Sequence, residues 1–218
     1  MKIIFCLPGA SFSGRFLQNW TNLLAELPKY NITYGLSQHY LCNIYHVRTK
    51  CLGVSLDRGV DQKPFDGKVD YDYLMWIDSD MVFKPEDFFN LLDHDKDIVS
   101  GMYKMSDDVN YATVETMDEE FFEEWMHYQF MQDKDIENKK KTLFKADYTG
   151  MGWMLVRKGV IEKMKYPYFY PRKQVWKQYG WEEFVWDDVE FCMRVRDLGL
   201  DVWVDPTIIP GHEKTVVM

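Results

Sequence analysis

The segment Tyr73–Ile77 is an uninterrupted hydrophobic run, in which no polar residue alternates with the apolar ones. A strand that is apolar on both faces is typical of the centre of a parallel sheet covered by helices on each side. Other short apolar runs predict further strands, and apolar residues at helical spacing predict helices between them. The predicted strands are Ile3–Leu7, Ile32–Leu36, Asp97–Gly101 and Leu200–Val204; the predicted helices are Gly14–Leu27, Leu41–Leu52, Pro85–Asp95, Gly159–Met164 and Asp187–Leu198.

The alternation of strands and helices predicts an α/β fold built from right-handed crossover units. Pro85 is well placed to open its helix, and Asp187 with Glu190 has the spacing of a capping box. Gly199 follows the last apolar position of that helix and predicts its end. Residues 111–145 have no regular periodicity, so we expect an insertion or lid there.

Composition narrows the function classes. The chain has 218 residues, 46% of them hydrophobic, and a net charge of −9, which argues against nucleic-acid binding because that needs a basic surface. Aromatic residues make up 17%, which predicts either a ring-rich core or a groove that stacks flat ligands. The four cysteines are scattered and indicate a reducing compartment, so we expect a cytoplasmic protein. No apolar run approaches the ~20 residues of a membrane span.

Two aspartates, Asp78 and Asp80, follow the apolar strand directly. Ligands of open α/β sheets bind at the carboxyl ends of the strands. In an extended chain, residues two apart point the same way, about 6–7 Å from each other. Two carboxylates at this spacing suit Mg²⁺ or Mn²⁺, and such a cation can bridge the protein to a diphosphate. The alternative is that both aspartates only cap the turn into the Pro85 helix.

Three other known motifs have parts that resemble segments of this chain. An EF-hand starting at Asp78 fails, because Phe83 and Phe89 stand where glycine and glutamate belong. A P-loop in "GASFSGRF" fails, because Arg15 and Phe16 replace the lysine and the hydroxyl residue. The segment "DSDMV" resembles the first motif of phosphatases of the haloacid-dehalogenase type. That motif usually lies on the first strand, which weakens this alternative without removing it.

The carboxyl-terminal third holds a second acidic group. Asp187 and Asp188 open a predicted helix, where the helix dipole stabilises acids. One cap explains Asp187, whereas Asp188 is a candidate general base or a carboxylate that stabilises developing positive charge. Glu190 and Arg194 are four residues apart and could simply pair on the helix.

Two further motifs flank this helix. "TGMGWM" places Gly150 and Gly152 before Trp153, which predicts either space for a ligand with a stacking ring or a bulge packed against a neighbouring strand. His212 follows Gly211 in "PGHEK" and is a candidate third metal ligand beside the two aspartates. A lone histidine is more often structural.

The order of these motifs resembles that of GT-A glycosyltransferases, broadly the family 2-like group, over nearly the whole chain. The segments "FCLPGASFSGRF", "YDYLMWIDSDM", "DIVSGMY", "GMGWMLVRKGV", and "VDP" followed by "GHEK" are closer still to the small GT-A domains encoded by large DNA viruses of algae, which build capsid glycans. The resemblance implies a Rossmann-like, mostly parallel central sheet flanked by helices in a single domain.

The resemblance also implies a function and a set of site residues. The donor would be a nucleotide-diphosphate sugar, most often a UDP-sugar, and the acceptor a hydroxyl group of a glycan or glycoprotein. The implied metal ligands for Mn²⁺ or Mg²⁺ are Asp78, Asp80 and His212; the implied donor contacts are Leu7, Pro8, Gly9, Arg15, Ser37, Arg48 and Ser79; the implied catalytic acids are Asp187 and Asp188; and the implied sugar and acceptor contacts are Gly150, Gly152, Trp153 and Trp186, with the rest of Trp181–Trp186.

Asp187-Asp188 departs from the Glu-Asp pair of many inverting members, so the base role passes to Asp188 and the stereochemical outcome stays open. We expect residues 1–105 to bind the nucleotide sugar and residues 106–218 to bind the acceptor and carry catalysis. Because the sequence ends soon after "GHEK", the domain could belong to a longer protein. A non-catalytic sugar or nucleotide binder on the same scaffold is a further alternative.

Overall fold

The structure, a computed structural model, describes residues 1–139, 141–177 and 179–214, without the side chain of Trp181. The helices are α1 (Gly14–Glu26), α2 (Ile44–Cys51), α3 (Pro85–Asp93), α4 (Glu119–Trp125), α5 (Asp133–Asn138) and α6 (Asp187–Asp197). The strands are β1 (Lys2–Pro8), β2 (Thr33–His39), β3 (Tyr73–Ile77), β4 (Met81–Val82), β5 (Ile98–Ser100), β6 (Thr113–Val114), β7 (Phe144–Ala146), β8 (Tyr148–Thr149), β9 (Trp153–Arg157), β10 (Lys173–Trp176), β11 (Trp181–Phe184), β12 (Val202–Val204) and β13 (Gly211–His212).

The central sheet has seven strands in the order β2-β1-β3-β9-β5-β12-β7. Strands β2, β1, β3, β5 and β12 run in one direction, and β9 and β7 run against them. The predicted α/β fold with a mostly parallel sheet flanked by helices is therefore confirmed. Because β9 lies between β3 and β5, strands from residues 1–105 and 106–218 alternate within one sheet.

Strand β3 is buried on both faces, as its unbroken apolar sequence predicts. Tyr73, Met75 and Ile77 pack into the cluster that includes α1 and α3, whereas Leu74 and Trp76 pack into the cluster that includes α2 and α6. Alternate side chains of a strand point to opposite faces, so a strand covered on both sides must be apolar throughout. Each large side chain that is fully buried contributes about 1.5–3 kcal/mol. The residues that follow β3 therefore start from a firmly held position.

Helix α3 begins at Pro85, as predicted. Its cap is formed by Asp87, whose carboxylate accepts a hydrogen bond from the backbone N–H of Lys84 at 2.8 Å. Asp78 and Asp80 bind other groups, so the alternative that they cap this helix is wrong.

Helix α6 begins at Asp187, after the cap residue Trp186, so the capping box predicted for Asp187 and Glu190 is wrong. The backbone N–H of Glu190 donates to the carbonyl of Trp186 at 2.9 Å, and the carboxylate of Asp187 binds Arg48 instead. Glu190 pairs with Arg194 on the helix, with Oε1 and Nε 3.2 Å apart.

Some boundaries differ from the predicted ones. Strand β2 extends to His39, beyond the predicted end at Leu36. Helix α2 begins only at Ile44, because Asn43 caps it. The segment predicted as the helix Gly159–Met164 contains only a short 3₁₀ turn.

The irregular segment 111–145 holds β6, α4, α5 and the start of β7. Helix α4 stops after Trp125, because Met126 takes a left-handed conformation with φ of 59°. Within the described residues, none of the helices has both the length and the apolar character that crossing a membrane requires.

Candidate functional site

The chain turns sharply where β3 ends. The backbone N–H of Met81 donates to the carbonyl of Asp78 at 3.1 Å, and the N–H of Asp78 donates to the carbonyl of Gly152 at 3.0 Å. Because residues 78–81 form a turn, the expectation of an extended chain with both carboxylates pointing one way is wrong. Asp78 and Asp80 bind different partners.

Asp80 lies beside the carboxyl-terminal segment of the chain. Strand β13 pairs antiparallel with β4 and sets His212 opposite Met81. Nε2 of His212 lies 3.0 Å from Oδ2 of Asp80, although the two residues are 132 positions apart. Nζ of Lys214 lies 3.1 Å from the same oxygen and 2.6 Å from the same nitrogen. The Lys214 ammonium therefore contacts both the Asp80 carboxylate and the His212 ring.

The chemistry of this pair fits a divalent cation. Carboxylate oxygen is the ligand that Mg²⁺ and Mn²⁺ prefer, and neutral imidazole is a common metal ligand. Nδ1 of His212 faces the carbonyl oxygen of Lys104 at 2.8 Å. This contact holds a proton on Nδ1 and leaves the lone pair of Nε2 for a metal. Within the described ranges, no three His, Cys, Asp or Glu side chains surround one point, and Asp78 is not part of the pair.

The Asp80 carboxylate and the His212 ring each shift the pKa of the other. Burial alone would raise the pKa of Asp80, but its contacts with His212 and Lys214 lower it below its usual value. Burial would lower the pKa of His212, whereas the Asp80 carboxylate and the Lys104 carbonyl raise it. Asp80 is therefore ionised at neutral pH, which is the form that binds a metal.

Arg48 connects the aspartate turn to the start of α6. Its two terminal nitrogens donate to the two carboxylate oxygens of Asp78 at 3.1 and 3.2 Å. Its Nε donates to Oδ2 of Asp187, and its guanidinium lies 5.6 Å from the centre of the Trp76 ring. Burial raises the pKa of Asp78, an effect that Arg48 opposes. In this structure the guanidinium N–H groups bind these two aspartates. Contact between Arg48 and the nucleotide sugar, which the resemblance implies, stays a prediction.

Asp188 is partly buried in the first turn of α6. Its Oδ1 accepts a hydrogen bond from the N–H of Val189 at 2.8 Å, and its Oδ2 accepts one from the hydroxyl of Tyr148 at 3.1 Å. Burial and the neighbouring charge of Asp187 raise the pKa of Asp188 to about 7. A carboxylate that gains and loses a proton near neutral pH suits general base catalysis.

The loop after β1 touches the aspartate turn. A Cβ atom on Gly9 would lie only 2.5 Å from Cβ of Ser79, so this close approach needs glycine. The N–H of Gly9 donates to the carbonyl of His39 at 2.9 Å, at the end of β2. The structure thus brings together Gly9 and Ser79, two of the predicted donor contacts.

The other predicted donor contacts are more dispersed. Leu7 and Pro8 are buried at the end of β1, so their side chains face the interior. Ser37 is half-buried within β2, opposite Cys6 of β1. Arg15 is exposed in the first turn of α1. Contact of these residues with a donor stays a prediction.

The space predicted beside the two glycines is filled by Tyr103. A Cβ atom on Gly150 would lie 2.1 Å from the Tyr103 hydroxyl oxygen, and one on Gly152 would lie 2.9 Å from it. The N–H of Gly152 donates to this hydroxyl at 3.0 Å. The glycines therefore allow the Tyr103 side chain to pack here, instead of the strand that the structural alternative expected.

The two tryptophans predicted to contact a sugar differ in exposure. Trp153 has no exposed surface and packs on Phe83 with ring centroids 4.6 Å apart. A sugar cannot stack on it, and the predicted role is contradicted. Trp186 is 71% exposed and directly precedes Asp187, so its predicted acceptor contact stays a prediction. The side chain of Trp181, predicted for the same groove, lies outside the described part of the structure.

A cleft of about 300 Å³ lies beside Asp188, and most of its wall is aromatic. Tyr148, which donates to Asp188, forms part of this wall. The sequence prediction missed Tyr148, although it stands two positions before Gly150. It also missed Lys214, which belongs to the quoted "GHEK" segment.

Comparisons with other proteins establish the fold. No protein-family model matches the sequence, and no curated protein matches it either. The structure is similar to that of A197 from STIV, with a TM-score of 0.54 and 16% identity, covering 100% of this chain and 97% of that one. It is also similar to GalNAc-T7 in complex with UDP, GalNAc and Mn²⁺, with a TM-score of 0.53 and 8% identity.

The chain has a GT-A-type fold. The alignment with GalNAc-T7 covers 99% of this chain but only 44% of the GalNAc-T7 chain, so the likeness concerns less than half of that protein. At these identities the likeness concerns the course of the chain and not the identity of the site residues.

The GT-A-type fold and the site bear on the phosphatase alternative. In this alternative, Asp78 would be the aspartate that attacks phosphorus. Both oxygens of Asp78 accept hydrogen bonds from Arg48, and Asp78 follows the third strand of the chain instead of the first. The structure offers the phosphatase alternative no support.

Proposed function

We propose that the protein is a metal-dependent glycosyltransferase that moves a sugar from a nucleotide-diphosphate donor, a UDP-sugar, to a hydroxyl group of a glycan or glycoprotein. The observation that carries this proposal is the meeting of Asp80 and His212 at the carboxyl end of β3 in a GT-A-type fold. The presence of UDP and Mn²⁺ in the GalNAc-T7 structure, which shares this fold, supports it.

Asp80 and His212 would hold Mn²⁺ or Mg²⁺ in place of the Lys214 ammonium. Asp78, the third predicted ligand, would have to exchange Arg48 for the cation. When bound, such a cation would neutralise the negative charge of the departing diphosphate. Gly9 and Ser79 meet at this edge of the sheet and form the wall along which the donor would lie.

Asp188 is the general base of the proposed reaction. Its carboxylate takes the proton from the acceptor hydroxyl as that oxygen attacks the anomeric carbon of the donor sugar. Tyr148 and the N–H of Val189 fix the orientation of the carboxylate. Before a cation binds, Arg48 links Asp187 at the start of α6 to Asp78 at the end of β3.

A thermal-shift screen of nucleotides and nucleotide sugars, with and without Mn²⁺, tests this function. A ligand that binds only the folded protein raises the melting temperature. We expect one family of nucleotide sugars to raise it, and only when Mn²⁺ is present. If no nucleotide sugar stabilises the protein in either condition, the proposed function is wrong. A donor that binds but is neither transferred nor hydrolysed identifies a binding protein instead.

A further inference from the structure

A second cleft adjoins the aromatic cleft beside Asp188. We call the first one, of about 300 Å³, the inner cleft, and the second, of about 670 Å³, the outer cleft. Met105, His127, Tyr128 and Phe130 line both, so the two clefts share a wall. Both volumes fall in the ~300–1,000 Å³ range of small-molecule sites.

The inner cleft suits the flat, apolar face of a sugar ring. Phe184 and Trp186 line this cleft and are 54% and 71% exposed, so part of each ring is accessible to a ligand. The hydroxyl of Tyr128, in the same wall, donates to Gln174 at 2.7 Å and supplies a polar end. Aromatic faces with a polar end match sugar rings, which are apolar on one face and carry hydroxyls at the edge. Tyr148 connects this cleft to the proposed base.

The outer cleft has a different chemistry. Its wall, built from the insertion 111–139 and the loop before it, carries acids, amides and lysines together. Gln132 donates to Asn110 at 3.0 Å, and Lys139 pairs with Glu115. Such a wall offers both donors and acceptors with no single dominant charge. It matches a neutral ligand with many hydroxyl groups better than an apolar tail or a ligand of one charge.

We propose that the acceptor is an oligosaccharide of at least two sugar residues, with its reactive terminal residue in the inner cleft and the next residue in the outer cleft. This inference rests on the proposed glycosyltransferase function. The adjacency of the clefts supports it, because both border Tyr128 and Phe130, and two linked sugar residues would occupy one cleft each. In this arrangement, side chains of residues 111–139 contact the sugar residue next to the reacting one.

Acceptor length provides the test. With the donor found by the thermal-shift screen, transfer is measured to methyl glycosides of glucose, galactose, mannose, xylose and N-acetylglucosamine and to disaccharides and trisaccharides of each. We expect the best disaccharide to have a kcat/KM about tenfold or more above its monosaccharide, the effect of one or two added hydrogen bonds. Equal values for monosaccharide and longer acceptors would overturn the inference.

Two variants on α5 locate the effect. Asn138 lines the outer cleft, whereas Glu137 is its exposed neighbour on the same helix and does not line it. Asn138→Trp fills the outer cleft, so we expect it to abolish the advantage of the disaccharide. Glu137→Trp adds the same bulk elsewhere and should keep that advantage. If both variants keep it, the outer cleft does not bind the acceptor; melting temperatures show that both are folded.

Donor binding tests the proposed function, whereas acceptor length tests only the extended acceptor site. If no nucleotide sugar binds with Mn²⁺ and none is hydrolysed, the protein is not a glycosyltransferase. If a donor is used but acceptor length has no effect, the enzyme stands and only the extended acceptor site is wrong.

Discussion

Among single residues, Arg48 has the most demanding electrostatic environment. Its side chain is 4% exposed and binds the carboxylates of both Asp78 and Asp187. Burial alone would lower the pKa of Arg48, but the two carboxylates raise it above its usual value. Arginine suits this position because its planar fork serves two acids at once, which a lysine ammonium cannot do in the same geometry.

Replacing Arg48 with methionine should cost about 3–5 kcal/mol of unfolding free energy, because it leaves buried carboxylates without a counter-charge. Chemical denaturation at pH 7 measures this loss. The double variant with Asp187→Asn should recover part of the stability, since one of the uncompensated charges is then absent. A loss below about 1 kcal/mol in Arg48→Met would contradict the role assigned to this arginine.

The pH dependence of transfer should report on Asp188. Its pKa is raised to about 7, mainly by burial, and only the deprotonated carboxylate accepts a proton. Activity should therefore be low at pH 5, rise through about pH 7 and level off above it. Asp188→Asn should lose about 10²–10⁴-fold in kcat, and its remaining activity should no longer rise through pH 7. If the variant keeps the wild-type kcat and the same rise with pH, another residue is the base.

Lys214 should compete with the metal for its site. Its ammonium contacts both Asp80 and His212, so a divalent cation that binds the same two atoms must displace it. Lys214→Met removes this competing charge, and we expect it to bind Mn²⁺ more tightly in a calorimetric titration without donor. Lys68→Met, which removes an exposed lysine paired with Asp66, is the matched control and should leave the affinity unchanged. Weaker Mn²⁺ binding by Lys214→Met would show that the lysine helps to build the site.

On the scale of elements, the segment that leads into β9 depends on Tyr103. Gly150→Ala would place a methyl group 2.1 Å from the Tyr103 hydroxyl oxygen, and both residues are buried. We expect a loss of about 1–3 kcal/mol, typical of overpacking in a core. Gly14→Ala, where the added methyl meets nothing within 4 Å, is the control and should not destabilise. A neutral Gly150→Ala would show that space remains beside this strand for a ligand.

Elements with strong local signals could be predicted from the sequence. The apolar run of β3, the proline that opens α3 and Gly199, which takes φ of 74° after α6, each act within a few residues. Asp187 was misassigned as a cap because its partner, Arg48, is 139 residues away. The sequence predicts a sugar contact for Trp153 because it does not reveal that Phe83 packs on this ring. Such long-range pairings are decided by the tertiary fold.

At the scale of the whole molecule, the sheet order brings distant chemistry to one edge. The turn after β3 supplies Asp78 and Asp80, α2 supplies Arg48, α6 supplies Asp188 and β13 supplies His212. The sequence predicted these residue types and their order along the chain. It did not predict that they divide into an Asp80–His212 pair and an Arg48-centred group, nor that residues 111–139 border two adjacent clefts.

The central claim is that Asp80 and His212 hold the cation that binds the donor diphosphate. Calorimetric titration of UDP with and without Mn²⁺ tests it most directly, on the unmodified protein, on Asp80→Asn and on the control Asp66→Asn, which changes an exposed acid. We predict that Mn²⁺ strengthens UDP binding to the unmodified protein and to Asp66→Asn, but not to Asp80→Asn. Equal strengthening by Mn²⁺ in all three proteins would contradict the account.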